Sequence, residues 1–258
     1  MKIAVINEDV AQISYNDLVK AVSAIQYQVT EHFYPIHGLA AEIKPFRRFL
    51  DVPNDFFIIT IKHQISSETL DGLHNLNEKG QPFGEIKFWE RWTYTLSHET
   101  LEMIKNPYLK EYRKAKSIFD EDTENPLFVE EVADATDGKG YEIGGVEVSN
   151  FITPYWYDLY DNEYYLKIGT RSKPVKYDYL GILTKPRQLY EGGNVAWLSV
   201  TNEYFQAQKT KGIIYLRNLT KNTPFEAFTT AVTDSDNTIY YFSVALILGI
   251  TYLIFRKK

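Results

Sequence analysis

The chain has 258 residues, 44% of them hydrophobic, enough to bury a full core in one large domain or two small ones. Its formal net charge of −6 gives no general electrostatic reason to expect a nucleic acid as partner. No cysteine is present, which excludes disulfide scaffolds, thiolate zinc sites and cysteine nucleophiles.

Residues 1–9 carry too short an apolar run for a secretory signal and predict a first strand over 2–7. A helix follows, capped by Ser14 or Asn16 and running to about residue 33, with Leu18, Val19, Val22, Ile25 and Val29 on its apolar face. Pro35 and Gly38 are expected to break it. Strands are predicted over 39–46 and 56–63, the second strongly β-branched. The glycine- and asparagine-rich stretch 71–84 reads as an ordered loop with a short edge strand, and a strand resumes over 85–88. A helix over 92–105 then stops at Asn106-Pro107. The charged stretch 110–124 reads as solvated helix or loop. Carboxylates return over 126–137, and Gly144-Gly145 predicts a hairpin turn. Beyond Pro154 short strands are expected. The 20 tyrosines of the chain suit strand faces, and turns fall at Gly192-Gly193 and 222–224. Residues 233–238 form a polar linker. The uncharged run 239–255, with tyrosines at both ends and Arg256-Lys257-Lys258 behind it, spans roughly 25 Å as a helix. It predicts a single-pass C-terminal membrane anchor with its basic end toward the cytoplasm.

Within the helix over 92–105, His98 and Glu102 fall one turn apart on one face, with Glu99 beside them. This is the H-E-x-x-H layout of a zinc-peptidase helix with glutamate for the second histidine. Zinc accepts imidazole nitrogen and carboxylate oxygen alike, so two ligands and a general base, Glu99, remain. A third ligand must come from elsewhere. Glu131 and Asp134 are the leading candidates, with Glu130 and Asp137 behind them. A carboxylate-rich set also suits calcium. His74, in the segment before the helix, is a candidate substrate contact. His32, His37 and His63 read as structural. A tyrosine from the cluster 155, 157, 160, 164 and 165 offers a phenol to polarise a carbonyl, although alternating aromatics also fill β-faces.

The run Thr95-Leu-Ser-His-Glu-x-Leu-Glu-Met, then Asn106-Pro107, Glu131-Val-Ala-Asp134 and Gly145-Val-x-Val-Ser-Asn-Phe-Ile-x-Pro, resembles a family of mostly uncharacterised bacterial and phage proteins that look like zincin metallopeptidases. The family pattern usually has Asp-Pro where this chain has Asn106-Pro107, and Cys-Asp-Pro where it has Ala133-Asp134-Ala135. The resemblance implies an α+β fold: a zincin-like mixed sheet with its active-site helix in residues 1–107, completed by a β-rich part over 108–232. In such a fold the strand before the helix is the edge that holds extended substrates, here at 74–86. The implied function is a membrane-anchored, zinc-dependent peptidase acting on peptide or protein substrates through metal-activated water. The competing expectation is a non-catalytic structural or attachment protein of a virion membrane, with other virion proteins as partners.

Overall fold

The computed structural model describes residues 1–119 and 125–228, together with the backbone of 232–233 and 239–240. Strand β1 (Lys2–Asn7) leads into helix α1 (Tyr15–Tyr27). Ser14 caps α1 in a reciprocal box: its side chain accepts from the Asp17 amide, and the Asp17 carboxylate accepts from the Ser14 amide. The helix widens to a π-helical stretch over Gln28–Phe33 and resumes as α2 (Tyr34–His37). Pro35 therefore does not break the helix. It sits in the first turn of α2, where a missing N–H costs little, and Gly38, in the left-handed region at φ 69°, ends it.

Strands β2 (Glu42–Phe46), β3 (Phe57–Lys62), β4 (Gly72–Leu76) and β5 (Pro82–Lys87) complete a sheet ordered β2-β1-β3-β5-β4. The first four strands in that order run parallel, and β4 alone is antiparallel. The interior strands β1 and β3 are near-continuous aliphatic runs, as strands covered on both faces require. A tight turn in which Gly80 takes φ 71° folds β4 back along β5, with His74 opposite Gly84. The strand immediately before the next helix is thus internal, and the edge is the shorter β4.

Helix α3 (Trp92–Lys105) packs across β4 and β5 and against the hairpin of β8 (Gly140–Ile143) and β9 (Val146–Ser149). Gly144 and Gly145 turn that hairpin with φ 58° and 74°. A second, antiparallel sheet is built from β6 (Tyr112–Lys114), β7 (Leu127–Val129), β10 (Asn194–Leu198), β11 (Tyr204–Thr210), β12 (Ile213–Asn218) and β13 (Glu226–Ala227), ordered β13-β12-β11-β10-β7-β6. Between Pro154 and Asn194 lie turns, single bridges and the short helix α4 (Asn162–Lys167), not the expected strands. One continuous buried cluster runs from Ile3, Val5 and Ile59 through Leu96 and Leu101 to Phe128, Trp156 and Trp197.

The expected fold class is corrected by this arrangement. The described residues form a mixed α/β structure with several separate sheets and few helices, and none of those helices is long and apolar enough to cross a membrane. Ile239–Tyr240, expected to open the transmembrane helix, form strand β15 against β14 (Val232–Thr233), because backbone pairing takes the N–H and C=O groups a helix would use internally. The rest of the expected anchor, 241–255, lies outside the described residues, as do 120–124 of the charged stretch. A single-pass location, in a virion membrane or any other, is not supported.

Two buried polar groups link the layers. Gln28 is fully buried; its Nε2 donates to the Ser149 carbonyl at 2.7 Å and its Oε1 accepts from Ser97 Oγ at 2.7 Å. Ser97 Oγ in turn accepts from the Ser149 amide at 3.0 Å, so the π-helical stretch, α3 and β9 share one network. Gln28→Leu should lower stability by about 2–4 kcal/mol, since it leaves the Ser97 hydroxyl without its acceptor and the Ser149 carbonyl without its donor; urea unfolding measures it. His37 donates from Nε2 to the Ile152 carbonyl at 2.9 Å and stacks on Phe33. Burial pushes its pKa down to about 4. The unfolded chain, with an ordinary histidine near 6.5, therefore takes up the proton first as pH falls. His37 contributes stability that is complete above about pH 6.5 and lost progressively toward pH 4. His37→Asn should flatten that part of the Tm–pH curve.

Candidate metal centre

Helix α3 is buried along almost its whole length, from Tyr94 to Ile104, and three ionisable side chains are buried with it: His98, Glu99 and Glu102. The one-turn spacing brings His98 Nε2 to 3.2 Å from Glu102 Oε1. The segment after β7 supplies the carboxylates that face them. Glu130 and Glu131 are successive residues and point opposite ways. Glu130 is held on the far side by Lys105 Nζ at 2.7 Å and Arg113 Nε at 2.6 Å. Glu131 turns toward the helix. Asp134, opening a single 3₁₀ turn, places Oδ1 at 3.4 Å from His98 Nε2. The Ala133 amide donates to Glu102 Oε1 at 3.3 Å and ties this segment to α3. Ligand atoms around a tetrahedral zinc, each roughly 2.0–2.2 Å from the metal, lie roughly 3.3–3.5 Å from one another. The two distances from His98, to Glu102 and to Asp134, are close to that spacing, all three ligand atoms lie within 4.8 Å of one another, and a donor set of one imidazole and two carboxylates suits zinc.

His74 approaches from the sheet. Its side chain is only 5% exposed, with Nδ1 donating to Glu99 Oε2 at 3.4 Å and lying 3.7 Å from Glu102 Oε2. Its Nε2 stands 3.7 Å from Glu131 Oε2. Gly72, on the same face of β4, permits this approach: a Cβ there would come within 2.9 Å of Glu99 Oε1 and collide with Thr95. The residues anticipated as ligands, His98, Glu102, Glu131 and Asp134, thus meet in one place with Glu99. His74, anticipated as a substrate contact, lies deeper than that role suggests, among three of the carboxylates.

The crowding shows in the protonation equilibria. Burial disfavours the cationic form of His98, but Glu102, Asp134 and Glu99 outweigh it and hold its pKa well above the ordinary value. His74 is raised to about 9, burial being overcome by the Glu99 hydrogen bond and by Glu131 and Glu102. Burial and the Glu102 charge push Glu131 well up, and push Asp134 to about 6 against the pull of His98. Four carboxylates face two imidazoles here, and proton uptake by His98, His74 and Glu131 offsets their charge.

The centre floors an open cleft of about 780 Å³, whose walls also include Arg91, Tyr94, Asn194, Gln206 and Arg217. A chain of side chains on the second sheet reaches Asp134. Arg217 Nε donates to Gln206 Oε1 at 2.9 Å, Gln206 Nε2 to Asn194 Oδ1 at 2.9 Å, and Asn194 Nδ2 to Asp134 Oδ1 at 3.2 Å. Tyr94 donates to Asp137 Oδ1 at 2.8 Å and accepts from the Gly138 amide at 2.7 Å. Sequence reasoning missed this chain and Tyr94. Tyr94 stands one turn before His98, so helical spacing contained the signal; no local pattern marked Asn194, Gln206 or Arg217. The tyrosines of the 155–165 cluster do not line the cleft, and Tyr155, Tyr160 and Tyr164 are exposed. Asn106, where the related pattern has aspartate, accepts from the Lys110 and Glu111 amides at 2.8 and 2.9 Å and organises the turn after α3, away from the centre.

Comparison with protein-family models, curated proteins and solved structures gave no match. The chemistry of the centre is read from its own geometry. Asn194 orients Asp134 as an outer-shell partner orients a metal ligand. Asn194→Ala should lower divalent-cation affinity by about 10–100-fold, as loss of such partners does, while leaving the fold intact; calorimetric titration with zinc measures the change.

Proposed function

We propose that this protein is a zinc-dependent peptidase, with the metal held by His98 Nε2, Glu102 Oε1 and Asp134 Oδ1. The observation that carries this reading is that His98 Nε2 lies 3.2 Å from Glu102 Oε1 and 3.4 Å from Asp134 Oδ1, the three residues forming one ligand group with the buried Glu99 next to His98 in the chain. Zinc bound there would supply a Lewis acid and a water acidified toward neutrality. His98, Glu102 and Asp134 would hold the ion with three protein ligands, the number catalytic zinc sites use.

The chain's own residues have distinct tasks. Glu99 takes the proton from the attacking water and passes it to the departing amine. His74 Nδ1–H holds Glu99 Oε2 and fixes the carboxylate's orientation. Asp134 is oriented by Asn194 and, through it, by Gln206 and Arg217. A peptide rather than a small ester is supported by β4: it is the edge of its sheet, it borders the cleft, and its outer row of backbone groups can pair with an extended chain. The sequence resemblance to zincin-type peptidases points the same way.

Metal analysis of the purified full chain, with hydrolysis of a peptide library alongside, tests the proposal. Wild type should bind zinc and cleave. His98→Ala should lose the His98-held zinc and, with it, the activity. Glu99→Gln should keep the metal while hydrolysis drops by about 10²–10⁴-fold, the size of a general-base contribution. A wild-type protein that binds no zinc after supplementation would sink the reading.

A further inference from the structure

The centre contains more ligand atoms than one zinc uses. Glu102 presents its two oxygens to different partners: Oε1 lies 3.2 Å from His98 Nε2, whereas Oε2 lies 3.7 Å from His74 Nδ1. His74, Glu102 and Glu131 can each contribute an atom to a second group, all within 4.8 Å of one another, separate from the group of His98, Glu102 and Asp134. Two atoms of those residues are buried without any hydrogen-bond partner, His74 Nε2 and Glu131 Oε2. They face each other across 3.7 Å, too far for a hydrogen bond. Buried orphan atoms are costly, and their usual explanation is an ion or water between them. A cation about 2.1 Å from each would fit that gap with an angle near 120° at the metal.

We infer that the centre binds two divalent cations, the second held by His74 Nε2 and Glu131 Oε2, with Glu102 bridging the pair through its two oxygens. The inference rests on the zinc site proposed above. The other ring nitrogen of His74 donates to Glu99 Oε2 at 3.4 Å, the carboxylate–histidine–metal arrangement that fixes a ligating imidazole's tautomer. Charge agrees. One dication neutralises two of the four carboxylates Glu99, Glu102, Glu131 and Asp134; two dications neutralise all four. Paired metal sites in hydrolases, including aminopeptidases, have their ions about 3.5–4 Å apart and clamp both the attacking and the leaving atoms. An imidazole-and-carboxylate set suits zinc or manganese.

Metal content and spectroscopy of the full chain test the inference. After equilibration with zinc and removal of excess, wild type should retain two equivalents, and His74→Ala and Glu131→Gln one each. With manganese, wild type should give the electron paramagnetic resonance signal of an exchange-coupled pair, and both variants that of an isolated ion. Glu131→Gln changes no volume and covers the case in which His74→Ala fails to fold, as circular dichroism would show. One equivalent in wild type, undiminished in both variants, overturns the second site and leaves the first standing; it would mean that a proton on His74 does the neutralising. Two equivalents in both variants also overturns it. No metal in wild type removes both readings.

Discussion

The structure depends on one constraint: α3 is buried on all sides and carries His98, Glu99 and Glu102 into the interior with it. A helix hidden this completely is normally apolar all round. Buried charge is tolerated only when it is paired, hydrogen-bonded or bound to a metal. Every layer packed against α3 therefore brings a polar group to a particular place. The π-helical stretch brings Gln28 to Ser97, β4 brings His74 to Glu99, and the segment after β7 brings Ala133 and Asp134 to Glu102 and His98. The hydrophobic cluster that runs through both sheets supplies most of the burial, but these polar contacts decide how the layers register on the helix.

The two sides of the segment after β7 solve the charge problem differently. On one side Glu130 is answered by the organic cations of Lys105 and Arg113, a closed arrangement that leaves nothing to bind. On the other, Glu131 and Asp134 join Glu99 and Glu102 with only two imidazoles for company. That imbalance opens onto a cleft. A crowd of carboxylates at a cleft, with orphaned buried atoms beside it, differs in this from the closed ion pairs of Glu130. The glycine at 72 shows how closely the sheet is fitted to this purpose: any side chain there would push β4, and His74 with it, away from the helix.

Legibility in the sequence followed distance along the chain. The Ser14–Asp17 capping box, the Gly144-Gly145 turn and the Trp92–Lys105 helix are local signals, and each forms where local chemistry places it. The glycine- and asparagine-rich stretch read as a loop with a short edge strand, and β4 is that edge; which strand it pairs with is what the local sequence does not carry. Pro35 illustrates the opposite error. Taken alone it reads as a helix stop, but a π-helical turn just upstream resets the hydrogen-bond register so that its missing N–H falls in a first turn. The expected transmembrane helix is not supported: none of the described helices is long and apolar enough to cross a membrane, and Ile239–Tyr240 pair as a strand with Val232–Thr233, a pairing that hydropathy cannot register.

The sequence by itself determined that His98 and Glu102 share a helical face with Glu99 beside them, since 3.6 residues per turn leaves no other arrangement. Only the tertiary structure decided that Glu131 and not Glu130 turns toward Glu102, that His74 joins them, and that Arg217, Gln206 and Asn194 reach Asp134 from another sheet. Those relations are set by strand order and by the packing of layers, in which residues far apart in the chain become neighbours through long-range pairing that no local periodicity encodes.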